Sequence, residues 1–349
     1  MNKIRIVNWL LTRRCNLKCD YCAIVKNYDG KPEEYPDMDH YIKNEMTTEQ
    51  VLSGLATIKL HNPDAFHIFY GGEPMLRKDL STIINYCNDE DIHYTIISNN
   101  SPEVIPLIKK LVKETNGKIK GFTASVDPVI FTESNELDDK EKDRVMKSLA
   151  GFENLKEMKK YCDDVVAEIT VMKHNQQYLS TLVEVLTTVG INSDITFIDI
   201  AKTPYYDFSN ISDEDLLVEN SPELAEQFQS ISDGDLDVHM KRTLLPEIWN
   251  ILPSNMDCGI DKSLHNISID ADGSIRLCLR IRGTLSPSLV PSIDSLFTKD
   301  YKVHPVAHSI ISSDKKKHCK LCNHTCQLMS KIIDDNNLSP DDLVHLDRR

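Results

Sequence analysis

The chain has 349 residues, of which 40% are apolar and 27% charged, a composition that suits roughly two globular domains at the usual ~150 residues each. Its 40 basic residues stand against 54 acidic ones, a formal net charge of −14 that repels a phosphate backbone and excludes nucleic acid as a main partner. No run reaches the ~18 apolar residues of a membrane span and MNKIRIVNWLLTRRC does not read as a secretory signal, so a cytoplasmic location is expected, with no membrane association.

From the start to about residue 200, short apolar runs alternate with helical patterns, which predicts strand-helix units and a parallel sheet. Six strands are expected at 3–11, 65–70, 93–98, 120–126, 165–172 and 194–200. The helix after the first strand carries Val51, Leu52, Leu55 and Ile58 at helical spacing behind a Thr47 or Thr48 cap. Further helices are expected at 78–89, 103–114, 141–161 and 176–189. Six strands are too few for a closed eight-stranded barrel, so an α/β fold with a partial (β/α)6 TIM-like barrel over residues 1–200 is expected, its site on the rim of carboxyl ends. Residues 201–256 are rich in Asp, Glu, Ser and Pro and read as a linker with one or two helices. NISIDADGSIRLCLRI then alternates about DADG, a hairpin signal, and opens a small β-hairpin plus helix domain over 257–335, followed by an acidic tail at 336–349. Arg276, Arg280 and Arg282 read as a solvated rim, the alternative being a local basic patch that holds one anionic group.

Ten cysteines in a reducing compartment call for metal before disulfides. Cys15, Cys19 and Cys22 follow the first predicted strand as CxxxCxxC, at its carboxyl end. A zinc site usually takes four ligands in two pairs. Three thiolates at this spacing instead satisfy three irons of a four-iron cluster and leave the fourth open for a substrate or cofactor. A zinc knuckle completed by a distant histidine, or three unrelated buried cysteines, are the alternatives on spacing alone.

CNLKCDYC, with Tyr21 before the third cysteine, resembles the signature of the radical S-adenosylmethionine (SAM) superfamily, and IFYGGEPML at the second strand end resembles that family's GGE motif. The resemblance implies a [4Fe-4S] cluster on Cys15, Cys19 and Cys22, with SAM on the remaining iron. It implies SAM contacts from Tyr21 near the adenine, from the strand ends at Gly71, Gly72, Glu73 and Pro74, and from Ser98, Asn99, Ser125 and Asp127. The physics agrees at the second strand: two glycines permit close backbone approach, Glu73 can accept hydrogen bonds from an ammonium group, and Pro74 stiffens the turn. Pro128 stands where the family usually carries glycine after ASVD.

Five more cysteines follow residue 257. Cys258, Gly273 and Cys278 have fourteen and four residues between them, which resembles the opening of the SPASM and twitch extensions of radical SAM enzymes; HCKLCNHTC, with Cys319, Cys322 and Cys326, resembles their downstream group. Two auxiliary four-iron clusters need seven or eight cysteines, so the resemblance implies one auxiliary [4Fe-4S] cluster of the twitch type, held by four of these five. A zinc ribbon on Cys258, Cys278, Cys319 and Cys322 is the alternative. Cys87 and Cys162 are expected as ordinary packed residues in helices.

The implied activity is reductive SAM cleavage to a 5′-deoxyadenosyl radical and hydrogen abstraction from a small molecule or a peptide, with a flavodoxin or ferredoxin as electron donor. Only fourteen residues precede Cys15, which counts against leader-guided peptide maturation unless a separate protein recognises the leader. An iron-sulfur electron carrier or a zinc-stabilised binding protein is the non-enzymatic alternative, and neither needs a ~200-residue barrel or GGEP. No catalytic base stands out by spacing.

Overall fold

The structure is a computed structural model that describes residues 6–17, 19, 22, 42–126, 150–173, 175–197, 221–234, 236 and 266–276. The strands are β1 (Ile6–Thr12), β2 (Phe66–Gly71), β3 (His93–Ser98), β4 (Ile119–Ser125), β5 (Cys162–Val171), β6 (Asn192–Phe197), β7 (Asn266–Ile269) and β8 (Ile275–Arg276). The helices are α1 (Thr48–His61), α2 (Leu80–Asp89), α3 (Ile105–Glu114), α4 (Leu179–Thr188) and α5 (Pro222–Asp233), with a further helical stretch at 150–158 ahead of β5.

One sheet holds all eight strands in the order β6-β5-β4-β3-β2-β1-β7-β8, and every neighbouring pair is parallel except β7 and β8. The six expected strands therefore form an open parallel sheet, as a partial barrel requires. Thr47 supplies the α1 cap: its hydroxyl accepts from the Gln50 N–H, and the Gln50 side chain accepts from the Thr47 N–H. Cys162 opens β5 instead of ending a helix, because its backbone pairs with Ile119 and lengthens the strand at its start.

Side chains alternate across each strand, and the register sorts them into two faces. Trp9, Phe69, Ile96, Phe122, Ala124, Ala167 and Ile169 lie on the face packed against Val51, Leu55 and Ile58 of α1 and Ile83 and Ile84 of α2. Burial of each large side chain there stabilises the fold by about 1.5–3 kcal/mol. Within that core the Trp9 indole N–H donates to His67 Nδ1 at 2.9 Å, and burial pushes His67 down to about 3, so the ring stays neutral. The opposite face is far more polar: it carries Thr95, Thr123, Ser125, Glu168, Thr170, Asp194 and Thr196, with the Thr95 and Thr123 hydroxyls 2.9 Å apart across the β3–β4 ladder.

The expected hairpin forms about Asp270–Gly273, with Ser268 opposite Arg276 and Ile269 opposite Ile275. Its first strand also pairs in parallel with β1, Val7 opposite Ile267 and Trp9 opposite Ile269. A four-residue segment from the far end of the sequence thus becomes β1's neighbour on the side away from β2.

Candidate functional site at the carboxyl ends of the strands

The segment between β1 and Cys15 lies directly on the end of β2. The Gly72 N–H donates to the Thr12 carbonyl at 2.8 Å and the Glu73 N–H donates to the Arg14 carbonyl at 2.7 Å. A Cβ on Gly71 would stand 2.3 Å from the Thr12 carbonyl oxygen, and one on Gly72 would stand 2.2 Å from that of Arg14. The close approach that the two glycines allow is to the chain's own backbone, and it fixes the strand end from which the cysteine loop departs.

Glu73 is fully buried, and protein donors already engage its carboxylate. Oε1 accepts from the Met75 N–H at 3.0 Å and from the Ser98 hydroxyl at 3.1 Å, while Oε2 accepts from the Asn99 N–H at 2.8 Å. Burial pushes its carboxyl above the usual range, and the three donors, Asn99 first, work against that shift. A carboxylate offers about four acceptor sites, so one further donor can be accommodated. Pro74 opens the short 3-10 helix Pro74–Leu76, where its missing N–H is not needed.

From β3, the Asn99 side chain reaches the cysteine loop. Its Nδ2 donates to Asn16 Oδ1 at 2.9 Å and approaches Cys15 Sγ at 3.8 Å, while its Oδ1 accepts from the Ser101 N–H at 3.0 Å. Asn16 in turn donates to the Ser101 hydroxyl at 2.9 Å. Cys15, Cys19 and Cys22 are each half-buried, and the Cys22 N–H donates to the Cys19 carbonyl at 3.1 Å. Burial pushes the Cys15 thiol up; the Leu17 N–H at 3.4 Å lowers it, and the nearby Cys22 and Glu73 raise it further. The donor set suits a thiophilic iron centre in kind and number. Among the described residues no three His, Cys, Asp or Glu side chains are gathered at metal-binding distance.

Ser125 ends β4 opposite Glu168 of β5, and Glu168 stands opposite Asp194 of β6, so the three share the polar face. Burial first, and the Asp194 charge second, push the Glu168 carboxyl up to about 7. Sequence reasoning did not single out Glu168, although one acidic residue inside the apolar run VVAEITV is a signal that could have found it. Tyr21, Asp127, Cys258, Cys278, Cys319, Cys322 and Cys326 lie outside the described residues.

A family model described as the Radical SAM superfamily matches residues 9–186, just over half of the chain. The chain is 32% identical to the S-adenosylmethionine-dependent nucleotide dehydratase of Selenomonas ruminantium, over 35% of this chain and 39% of that protein. It is 22% identical to the radical SAM cyclopropyl synthase TigE of Paramaledivibacter caminithermalis, over 95% of this chain and 69% of the relative. Several other matches to curated relatives span 22% to 40% of those proteins' lengths. Crystal structures of Streptococcus suis SuiB share the fold. The SAM-bound form has a TM-score of 0.56 at 13% identity, over 89% of this chain and 68% of that one. The form bound to the precursor peptide SuiA has 0.52 at 12%, over 94% and 76%.

Proposed function

This chain belongs to the radical SAM superfamily, and from that premise we propose that it is an enzyme that cleaves S-adenosylmethionine reductively and abstracts hydrogen from a carbon of a peptide or small molecule. The observation that carries the reading is the CxxxCxxC loop of Cys15, Cys19 and Cys22, anchored on the GGEP strand end within the matched region. When bound, a [4Fe-4S] cluster and SAM supply an electron and a 5′-deoxyadenosyl radical.

The chain's own residues hold and shape that site. Cys15, Cys19 and Cys22 are the ligands, and Asn99 steadies the loop through Asn16. Gly71, Gly72, Glu73 and Pro74 set the β2 end against it, with Glu73 joining β2 to β3 through Ser98 and Asn99. Ser125 and the polar face beyond it offer hydrogen bonds to bound SAM or substrate; Tyr21 and Asp127 are proposed as SAM contacts on the resemblance alone. Glu168, with its carboxyl near neutrality, is the residue on that face suited to accept or return a substrate proton. SuiB, with the same fold, is bound to a precursor peptide, which supports a peptide as one substrate class.

For residues 257–335 the proposal is a twitch-type extension in which four of Cys258, Cys278, Cys319, Cys322 and Cys326 hold one auxiliary [4Fe-4S] cluster, and for the electron donor a flavodoxin or ferredoxin. Anaerobic reconstitution followed by dithionite and SAM tests the main reading. 5′-Deoxyadenosine is expected from the native chain and not from Cys19→Ala; none from a native chain with its iron in place overturns it. An iron content of about eight per chain supports the auxiliary cluster, and about four with one zinc replaces it by a zinc ribbon.

A further inference from the structure

The loop that carries Cys15 is held from two sides, and only one of them belongs to the matched family region. On the β2 side, the Thr12 and Arg14 carbonyls accept the Gly72 and Glu73 N–H groups. On the β7 side, the Arg13 side chain meets the turn of the C-terminal hairpin: its Nε donates to Asp270 Oδ1 at 2.9 Å and its Nη2 to Asp270 Oδ2 at 2.5 Å. The Arg13 side chain is 5% exposed and that of Asp270 0%. Such a two-point fork fixes orientation as well as distance.

Asp270 is itself held firmly. The Ala271 N–H donates to its Oδ1 at 2.7 Å, and its backbone N–H donates to the Ser274 carbonyl at 2.9 Å. The Gly273 N–H donates to its carbonyl at 2.8 Å, from a φ of 80° that favours glycine. The Ala271 carbonyl accepts from the Met46 N–H at 2.7 Å. Arg77 then bridges the Met46 carbonyl at 2.7 Å and the Leu11 carbonyl at 2.8 Å. The chain of bonds that starts at Arg13, just past β1, returns to β1 at Leu11.

We propose that Asp270 is a positioning residue for the three-cysteine loop, acting through Arg13, so that the hairpin between Cys258 and Cys278 is a working part of the first metal site. A buried ion pair is a weak source of net stability, since packed apolar residues serve that end as well. What the fork supplies is a fixed direction for the residue two positions before Cys15. Any change in the C-terminal segment that shifts the DADG turn is thereby felt at that cysteine. The proposal takes the loop as the metal-binding loop of the preceding section, yet its first test does not depend on metal.

The test is the alkylation rate of individual cysteines in the iron-free full chain, followed by peptide mass spectrometry with iodoacetamide. Cys15 reports the loop, and fully buried Cys87 reports opening of the core. Asp270→Asn keeps the side chain's shape and removes its charge; Arg13→Lys keeps the charge and removes the fork. Both are expected to speed alkylation of Cys15 about tenfold while Cys87 keeps its native rate, the pattern of local opening. An unchanged Cys15 rate, or equal acceleration of Cys15 and Cys87, overturns the proposal, the second because it marks a purely global destabilisation. In reconstituted protein the same variants are expected to lose iron to a chelator faster than Ile108→Ala, a core variant on α3. Equal loss from all three overturns it as well.

Discussion

Gly72 lies so close under Arg14 that an added Cβ would stand 2.2 Å from the Arg14 carbonyl oxygen. The neighbour is backbone of the segment leading to Cys15 and cannot rotate away, so a side chain at this position has to push β1 and β2 apart. Gly72→Ala is expected to destabilise the chain by about 1–3 kcal/mol, within the usual range for overpacking. It is expected to lower iron uptake at the first site by displacing the loop. Denaturant unfolding together with iron content after reconstitution checks both.

Glu73 holds three donors in a fully buried setting. In Glu73→Gln the amide keeps one acceptor oxygen and turns an NH2 toward donors that need an acceptor. A loss of about 2–3 kcal/mol is expected, since bonds to a charged acceptor are the stronger kind. Glu73→Asp is expected to fail in the same direction, because the shorter side chain cannot span from the β2 end to the Asn99 N–H. Thermal unfolding measures both losses, and stabilities equal to the native chain would show that the β2 to β3 link is dispensable.

Glu168 carries a pH signature. Its folded carboxyl sits at about 7, above the ~4.3 of an unfolded glutamate. The folded chain therefore binds the proton more tightly, and this contribution to stability is full below pH ~4.3 and is lost as the pH rises through about 7. Glu168→Gln removes that dependence. Melting temperatures across pH 4 to 8.5 are expected to converge for the two proteins at the acid end, with the variant the more stable above pH 7. Activity of the native chain is expected to change across the same interval and that of the variant to lose this limb.

Much of this arrangement is legible in the sequence because its signals are local. The strands announce themselves as apolar runs, and CNLKCDYC and GGEP sit at strand ends where ligand chemistry is readable from spacing. DADG announces the hairpin, and Gly273 at φ 80° shows why. That β7 pairs with β1 is not readable, since a four-residue strand so far along the chain carries no mark of its partner. Arg13 and Asp270 are hidden for the same reason: single charged residues look like surface until the fold buries them together. Glu73 shows a different shift, from a ligand acceptor by motif to a buried joint between strands.

The most direct measurement is the electron paramagnetic resonance spectrum of the dithionite-reduced, oxygen-free chain before and after addition of SAM. A change in the signal on addition, absent in Cys15→Ala, is expected if the three thiols hold a cluster with one open iron. An unchanged spectrum, with iron and sulfide present at full stoichiometry, contradicts the assignment of this site to SAM chemistry.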